Sequence, residues 1–333
     1  MISEKRFNEI LLNFERIDPI LVLGDVGVDK YTYGEVCRIS PEAPVPVLEV
    51  NREWTKLGLA SNVSDNLQSL KVNSTLCSVI GNDNNANTFE DLLEEAGLKT
   101  WGLVRDEKRM TTFKERVVTE IQQICRVDYE TKEGIGQDVY GRLKERFQEF
   151  KDNHSAFILE DYGKGFFTEQ MTQFFIKEAC AMGKMVAIDP SRVAPPLWYK
   201  GATLLKPNKL ESLLMAQQLG SGEKDIEKIA QMLVEKLELE KIIVTLGSEG
   251  MGMIDTKGDG KYRKIPTVAK EVYDVSGAGD TAISAIVAAL VSGADLEEAA
   301  WVGNCASGVV VSKKGTALVT QEELKAFYHS FGR

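Results

Sequence analysis

The chain has 333 residues, enough for one large α/β domain that folds without disulfide or metal staples. Apolar residues at 43% and charged residues at 27% lie near globular averages, which excludes wholesale disorder. Against 50 Asp and Glu stand 40 Lys and Arg, and the net charge of −10 excludes a broadly basic surface for nucleic acid or anionic membrane while leaving room for a local phosphate site.

In chain order, MISEKRFNEILLNFER sets Phe7, Ile10, Leu11 and Phe14 at helical spacing among acids, so it predicts a helix and not a signal peptide. Short apolar runs follow at 20–23, 75–80, 156–159, 185–188, 203–205 and 242–246, with amphipathic stretches between them. That rhythm predicts a parallel sheet covered by helices. Several runs end in Gly or Asp, as in LVLGD, FILED, VAIDP and VTLG, and so set polar groups at the carboxyl edge where such sheets bind ligands. Two segments break the rhythm. Residues 31–50, YTYGEVCRISPEAPVPVLEV, carry prolines at 41, 44 and 46 that suit an edge strand, and residues 111–129 alternate in strand fashion around a polar turn at 119–122. Both read as β insertions that cover a site or pair with a second subunit; plain surface hairpins are the alternative. One core domain over 1–333 is expected, with a lid from about 31–56 and 108–130. The longest uncharged stretch, 281–294, is shorter than the ~18–20 apolar residues that span a bilayer, so no membrane segment is expected.

The five cysteines, Cys37, Cys77, Cys125, Cys180 and Cys305, form no CxxC pair and read as reduced, mostly buried thiols of a cytoplasmic protein. His154 and His329 both read as surface residues, and with only two histidines a multi-histidine metal site and the HExxH and HxGH motifs are excluded.

The chemistry concentrates in EVYDVSGAGDTAISAIVAALVSG, residues 271–293. Gly277, Ala278 and Gly279 lead into an apolar helix whose unpaired first amides suit an anion, and Asp280 is set to take a proton from a hydroxyl. An N-cap with an acid in the first turn explains the same residues. The GxGxxA spacing of Gly277, Gly279 and Ala282 also fits a dinucleotide fingerprint, but 295–311 reads as helix where a second strand is needed, and no P-loop motif occurs. GDVGVD brings Gly24, Asp25 and Asp29 to the first strand end, where a carboxylate can accept sugar hydroxyls or simply close a turn. Gly58 to Asn62 opens another helix with small residues, and Asn62 suits a polyol. Asn208 and Glu211 in LLKPNKLE share a helix face that fits either water around a magnesium ion or a cap. Thr245, Gly247 and Gly250 in VTLGSEG suit a nucleotide phosphate or a hairpin turn. Asp161 and Lys164 in DYGKG suit a charged ligand or an exposed turn. Lys114, Arg116 and Arg126 in the lid would select an anionic substrate if they cluster beside the pocket, or make an exposed strand face.

In order and spacing, GDVGVD, DYGKG, KPNKLE, VTLGSEG and DVSGAGDT resemble the ribokinase-like (PfkB) family of carbohydrate kinases from about residue 20 to 320. RISPEAPVPV, QQICRVDYE, YKGATLLKPN and GVVVSKKGT extend the likeness to the heptose 7-phosphate kinase branch. The resemblance implies an α/β, ribokinase-like three-layer core with a mainly parallel sheet and a small β lid, often dimeric. It implies transfer of the γ-phosphoryl group of ATP, with Mg2+ and in some members a monovalent cation, to a sugar or sugar-phosphate hydroxyl, here the anomeric hydroxyl of D-glycero-β-D-manno-heptose 7-phosphate in the ADP-heptose and lipopolysaccharide-core route. Another sugar acceptor, or a non-catalytic sugar- or nucleotide-binding regulator, are the alternatives. By the same resemblance Asp280 is the base and Gly277, Ala278 and Gly279 the anion hole, while Asp29, Asn62 and Gly58 hold the sugar. Arg116 and Arg126 meet its phosphate, Asn208 and Glu211 the magnesium through water, Thr245, Gly247 and Gly250 the nucleotide, and Asn304 the base-side wall. Two departures bear on the acceptor: Gly58-Leu59 stands where the family usually has Gly-Gly, and Ser191-Arg192 where heptose-type relatives carry lysine. A nucleotidyltransferase pattern is absent, so a separate protein is expected to supply that step.

Overall fold

The computed structural model describes residues 2–269, 271–313 and 317–331; the last three residues of GVVVSKKGT, 314–316, lie outside them. In chain order the elements are α1 (Glu4–Asn13), β1 (Ile20–Gly24), β2 (Val26–Ile39), β3 (Pro46–Leu59), α2 (Ala60–Ser69), β4 (Ser74–Ile80), α3 (Asn84–Glu95) and β5 (Leu103–Arg105). There follow β6 (Thr112–Val118), β7 (Gln123–Tyr129), α4 (Gln137–Phe150), β8 (Ala156–Glu160), α5 (Glu169–Ala181), β9 (Met185–Asp189), β10 (Leu204–Leu205), α6 (Lys209–Gln218) and α7 (Ile226–Leu237). The chain continues through β11 (Lys241–Thr245), β12 (Met251–Asp255), β13 (Arg263–Ile265), α8 (Ala278–Val291), α9 (Leu296–Val311) and α10 (Gln321–Phe331).

Period-two alternation builds three layers. In β1, Ile20 and Val22 join one apolar layer while Leu21 and Leu23 join the other, and β8 divides Ala156 and Ile158 from Phe157 and Leu159 in the same way. Strands buried on both faces must be apolar throughout, which is why they read as continuous runs, and each fully buried Leu or Ile contributes ~1.5–3 kcal/mol relative to exposure. Helices α1, α2, α8, α9 and α10 cover one face; α4, α5 and α7 cover the other. Among the described residues the large sheet runs β13-β12-β11-β10-β9-β8-β1-β4-β5, parallel except at β11-β12-β13. Four of the six apolar runs fall within its strands, and 203–205 and 242–246 overrun β10 and β11 by one residue each. The short β5 and the antiparallel β12 and β13 were not among the expected strands.

A second sheet runs β3-β2-β6-β7. Pro46 opens its edge strand, where a missing N–H breaks no ladder. Its long hairpin is rooted in the core at both ends, because β2 begins two residues after β1 and β3 passes directly into α2, whose Ala60 N–H donates to Asp25 O at 2.9 Å. The turn between β6 and β7 is closed by Thr119 N–H on Gln122 O at 2.8 Å.

Two expectations about minor residues are corrected. His154 is buried at 4% exposure: Nδ1 lies 2.6 Å from Phe150 O and Nε2 2.7 Å from Thr75 Oγ1. A carbonyl only accepts, so Nδ1 carries the proton and Nε2 accepts the threonine hydroxyl; burial lowers the ring's proton affinity and keeps it neutral. Of the five free cysteines only Cys77 and Cys305 are buried, and Cys37, Cys125 and Cys180 lie exposed, the first two on stretches of the small sheet whose neighbouring residues are mostly exposed as well.

Candidate active site

The carboxyl edge of the large sheet opens into a cavity of 1030 Å³, lined by residues from β8 to α9. Ala278, Gly279, Asp280, Asp161, Lys164, Asn208, Glu211, Thr245, Gly247, Gly250 and Asn304 all meet in its wall, together with Lys114.

Gly277 caps α8 with φ 78°, a left-handed conformation open to glycine at little cost. It turns the chain so that α8 starts beneath the cavity. Ala278 N–H is taken by Val275 O at 3.2 Å, whereas the amides of Gly279 and Asp280 have no backbone acceptor among the described residues and remain available to an anion.

Asp280 is 8% exposed and held at both oxygens: Tyr162 Oη donates to Oδ1 at 2.5 Å and Asn62 Nδ2 to Oδ2 at 2.6 Å. Burial raises its proton affinity, the two hydrogen bonds oppose that, Asp189 adds to the rise and Lys206 counters it; the carboxyl comes out at about 6. Helices α2 and α8 are stitched along the same seam, with Thr281 Oγ1 on Asn66 Oδ1 at 2.8 Å and Ser284 Oγ on Val63 O at 3.1 Å.

Beside the first turn of α8 lies a buried charge cluster that sequence reasoning missed. Lys206 Nζ is 2.7 Å from Asp189 Oδ2, and a Cβ added to Gly279 would sit 3.8 Å from that ammonium. Burial works against both charges, but the carboxylates around Lys206 raise its affinity for the proton, so the ammonium is retained. Burial, with Asp189 and Asp280 nearby, pushes Glu160 well above the carboxylate range, and its Oε2 has no partner.

The nucleotide-side candidates are brought together, several by local structure. Asn208 and Glu211 form a reciprocal capping box on α6: Asn208 Oδ1 accepts from Glu211 N and Glu211 Oε2 from Asn208 N–H. Both still line the cavity. Gly247 and Gly250, with φ 60° and 92°, turn β11 into β12. Asn304 Nδ2 donates to Pro266 O at 2.7 Å.

The acceptor-side candidates are scattered. Asn62 also lines a second cavity of 440 Å³ with Lys56 and Asp65. Asp29 Oδ1 accepts from Arg116 Nη1 at 2.7 Å on the small sheet, and a Cβ on Gly58 would come within 3.1 Å of Asp29 Oδ2, so glycine leaves that carboxylate its room. The neighbouring Leu59 has φ 59° and ψ −139°, a conformation that costs a leucine ~1–3 kcal/mol; its side chain is buried and lines neither cavity. Arg126 pairs with Asp128 on the exposed β7 and lines neither cavity. Asp161 is occupied by Tyr199 Oη at 2.7 Å and Gly163 N–H at 2.8 Å, and Lys164 by Glu130 at 2.6 Å. Ser191 Oγ accepts Ala194 N–H, and Arg192 Nε lies 3.6 Å from Glu211 Oε1.

No group of three or more His, Cys, Asp or Glu that could hold a metal ion occurs among the described residues, and none of their helices is long and apolar enough to cross a membrane. A divalent ion fits this wall only as a partner of a ligand's own phosphates, with Glu211 in reach through water.

Comparison with known proteins matches this arrangement. The chain is 40% identical over 311 residues to the bifunctional protein HldE of Nitratiruptor sp. and 38% identical over 305 to that of Helicobacter pylori strain 26695, alignments that cover 93% and 92% of it. It spans only 65% of the length of each of these relatives. Their name gives two activities to one chain and lends no support to a separate nucleotidyltransferase. In fold the chain is similar to Escherichia coli phosphofructokinase-2 (TM-score 0.76, 20% identity, 95% of this chain and 100% of the other) and Thermotoga maritima ribokinase (TM-score 0.72, 19% identity, 94% and 100%). Residues 23–323 match the model of the pfkB family carbohydrate kinases, which takes in the end of β1, every later strand and the helices α2, α8 and α9. The chain belongs to the pfkB family of carbohydrate kinases.

Proposed function

We propose that this kinase transfers the γ-phosphoryl group of ATP to a sugar phosphate, with the anomeric hydroxyl of D-glycero-β-D-manno-heptose 7-phosphate as its acceptor. The observation that carries the anionic acceptor is Lys114. This half-buried ammonium lines the cavity with no ion pair among the described residues, and burial and the like charge of Lys164 lower its proton affinity. A cation so placed gains from a bound phosphate what it lacks in the free protein. Arg126, paired with Asp128 and lining neither cavity, leaves the proposed phosphate site, and Lys114 takes its place. The RISPEAPVPV string and the HldE relatives support the heptose choice.

In this mechanism Asp280 takes the proton of the acceptor hydroxyl, and the amides of Gly279 and Asp280 meet the phosphoryl oxygens as charge develops on them. Lys206 adds a fixed positive charge beside that turn. Magnesium, when bound with ATP, neutralises the phosphate oxygens; Asn208 and Glu211 would hold it through water, and Thr245, Gly247 and Gly250 would border the nucleotide. The same reading includes a homodimer joined through the small sheet, supported by exposed Ile39, Val50 and Tyr129; a monomer in light scattering would remove it.

ADP release is to be measured with heptose 7-phosphate, fructose 6-phosphate and an unphosphorylated heptose. The heptose phosphate should give the highest kcat/KM, and Lys114→Gln should raise its KM about ten-fold, the scale of one charge-assisted contact, with kcat little changed. Equal activity on the unphosphorylated sugar would overturn the anionic acceptor.

A further inference from the structure

Asp280 carries two hydrogen-bond donors, and one of them arrives on an unusually well-anchored loop. Tyr162 reaches it from residues 161–165, which follow β8. Asp25, 4% exposed, accepts from three amides there or next to it: Tyr162 at 3.1 Å, Lys164 at 3.1 Å and Phe166 at 3.0 Å. Asp161 ties the loop to Tyr199 and to Gly163 N–H, and Arg109, 9% exposed, donates to Lys164 O at 2.7 Å. Three anchors from separate parts of the chain thus hold the loop that aims one phenol at one carboxylate.

We infer that Tyr162 is a positioning residue for the base, holding the orientation of the Asp280 carboxylate and its charge until the acceptor hydroxyl arrives. The inference rests on Asp280 being that base. An ionised carboxylate only accepts, so the phenol is the donor in this contact, and each carboxylate oxygen keeps a lone pair for the substrate proton. A hydrogen bond to the charged form favours that form. Burial and the surrounding acids raise the Tyr162 hydroxyl far above its ordinary range, so it donates throughout the working pH range. The other groups that act on Asp280 divide by sign: Asp189 on β9 works against its charge, Lys206 after β10 supports it, Glu160 on β8 is itself pushed toward its protonated form, and α2 contributes only the neutral Asn62. Without the phenol, support for the charge would come from Lys206 and one amide against burial and Asp189.

The test is a 13C NMR titration of the Asp280 carboxyl, identified by its loss in Asp280→Asn and needing no acceptor, in the parent and in Tyr162→Phe. The parent midpoint is expected at about 6. In Tyr162→Phe it should rise by about one pH unit, the roughly ten-fold change in proton affinity that follows loss of a hydrogen bond to a charged group. The acid limb of kcat/KM should rise with it, while turnover at pH 8 stays within about three-fold of the parent. Asp25→Asn keeps the phenol but loosens its loop, and should move the midpoint the same way by less. An unmoved midpoint in Tyr162→Phe overturns the inference even if turnover falls. A midpoint that rises while the acid limb stays in place removes Asp280 as the base, and the inference with it.

Discussion

Two ion pairs of almost equal length mark two regions of the molecule. Lys206 and Asp189 meet at 2.7 Å beneath the first turn of α8, with side chains 3% and 14% exposed; Arg126 and Asp128 meet at 2.8 Å on the small sheet, 51% and 23% exposed. Distance does not separate them, but surroundings do. At the surface water screens the attraction and the ordering of two long side chains offsets it. In the interior each charge has lost its hydration and depends on the other, so removing one leaves the other stranded. The large sheet can keep such a pair because helices cover both its faces, whereas β7 at the edge of the small sheet is covered on neither.

The sharpest probe of the buried region is its carboxylate at the cavity. Asp280→Asn should lower kcat by roughly 10²-fold or more, the usual scale for a lost general base, with ATP affinity by calorimetry little altered. Retained turnover would take Asp280 out of its role and leave the cluster a structural feature. Next, Lys206→Met should cost ~3–5 kcal/mol in denaturant unfolding, because Asp189 is left buried without its counter-charge. Unfolding at the parent's midpoint would erase the contrast between the two pairs. The smallest effect is expected at the surface: Arg126→Ala should change stability by less than ~0.5 kcal/mol and leave the acceptor KM within about two-fold. A large rise in that KM would bring Arg126 back to the substrate phosphate in place of Lys114.

What could be read from the residues follows burial. The apolar runs in β1, β4, β8, β9, β10 and β11 announced themselves because both faces are covered, and α8 stood out through its apolar length behind GAGD. β5, with three residues, is too short to show a pattern, and β12 carries a glycine at its second position. In the site, Asp280 and the glycines of the turns were legible as local motifs, whereas Asn62, expected on a sugar hydroxyl, bonds Asp280 from 218 residues away. Tyr162 was not, since its partner lies 118 residues away, and neither was Lys206, whose place in LLKPN says nothing about Asp189 on the neighbouring strand. His154 misled for the same reason: Thr75, which accepts it into the core, is 79 residues distant. Local sequence carries capping, turns and periodicity; it does not carry which strand ends become neighbours.

The order of strands also governs how such a chain assembles during synthesis. β1 pairs with β4 on one side and β8 on the other, joining Ile20 to Ser74 and to Ala156, so one of its hydrogen-bonding edges stays unsatisfied until more than a hundred further residues have emerged. Asp29, Asn62, Tyr162, Lys206 and Asp280 come from successive segments, and α8, which buries the seam against α2, follows every described strand of both sheets. Contacts of such long sequence separation form slowly. Until those contacts form the apolar strands stay exposed, and on the proposed role of Asp280 phosphoryl transfer needs α8 docked against α2.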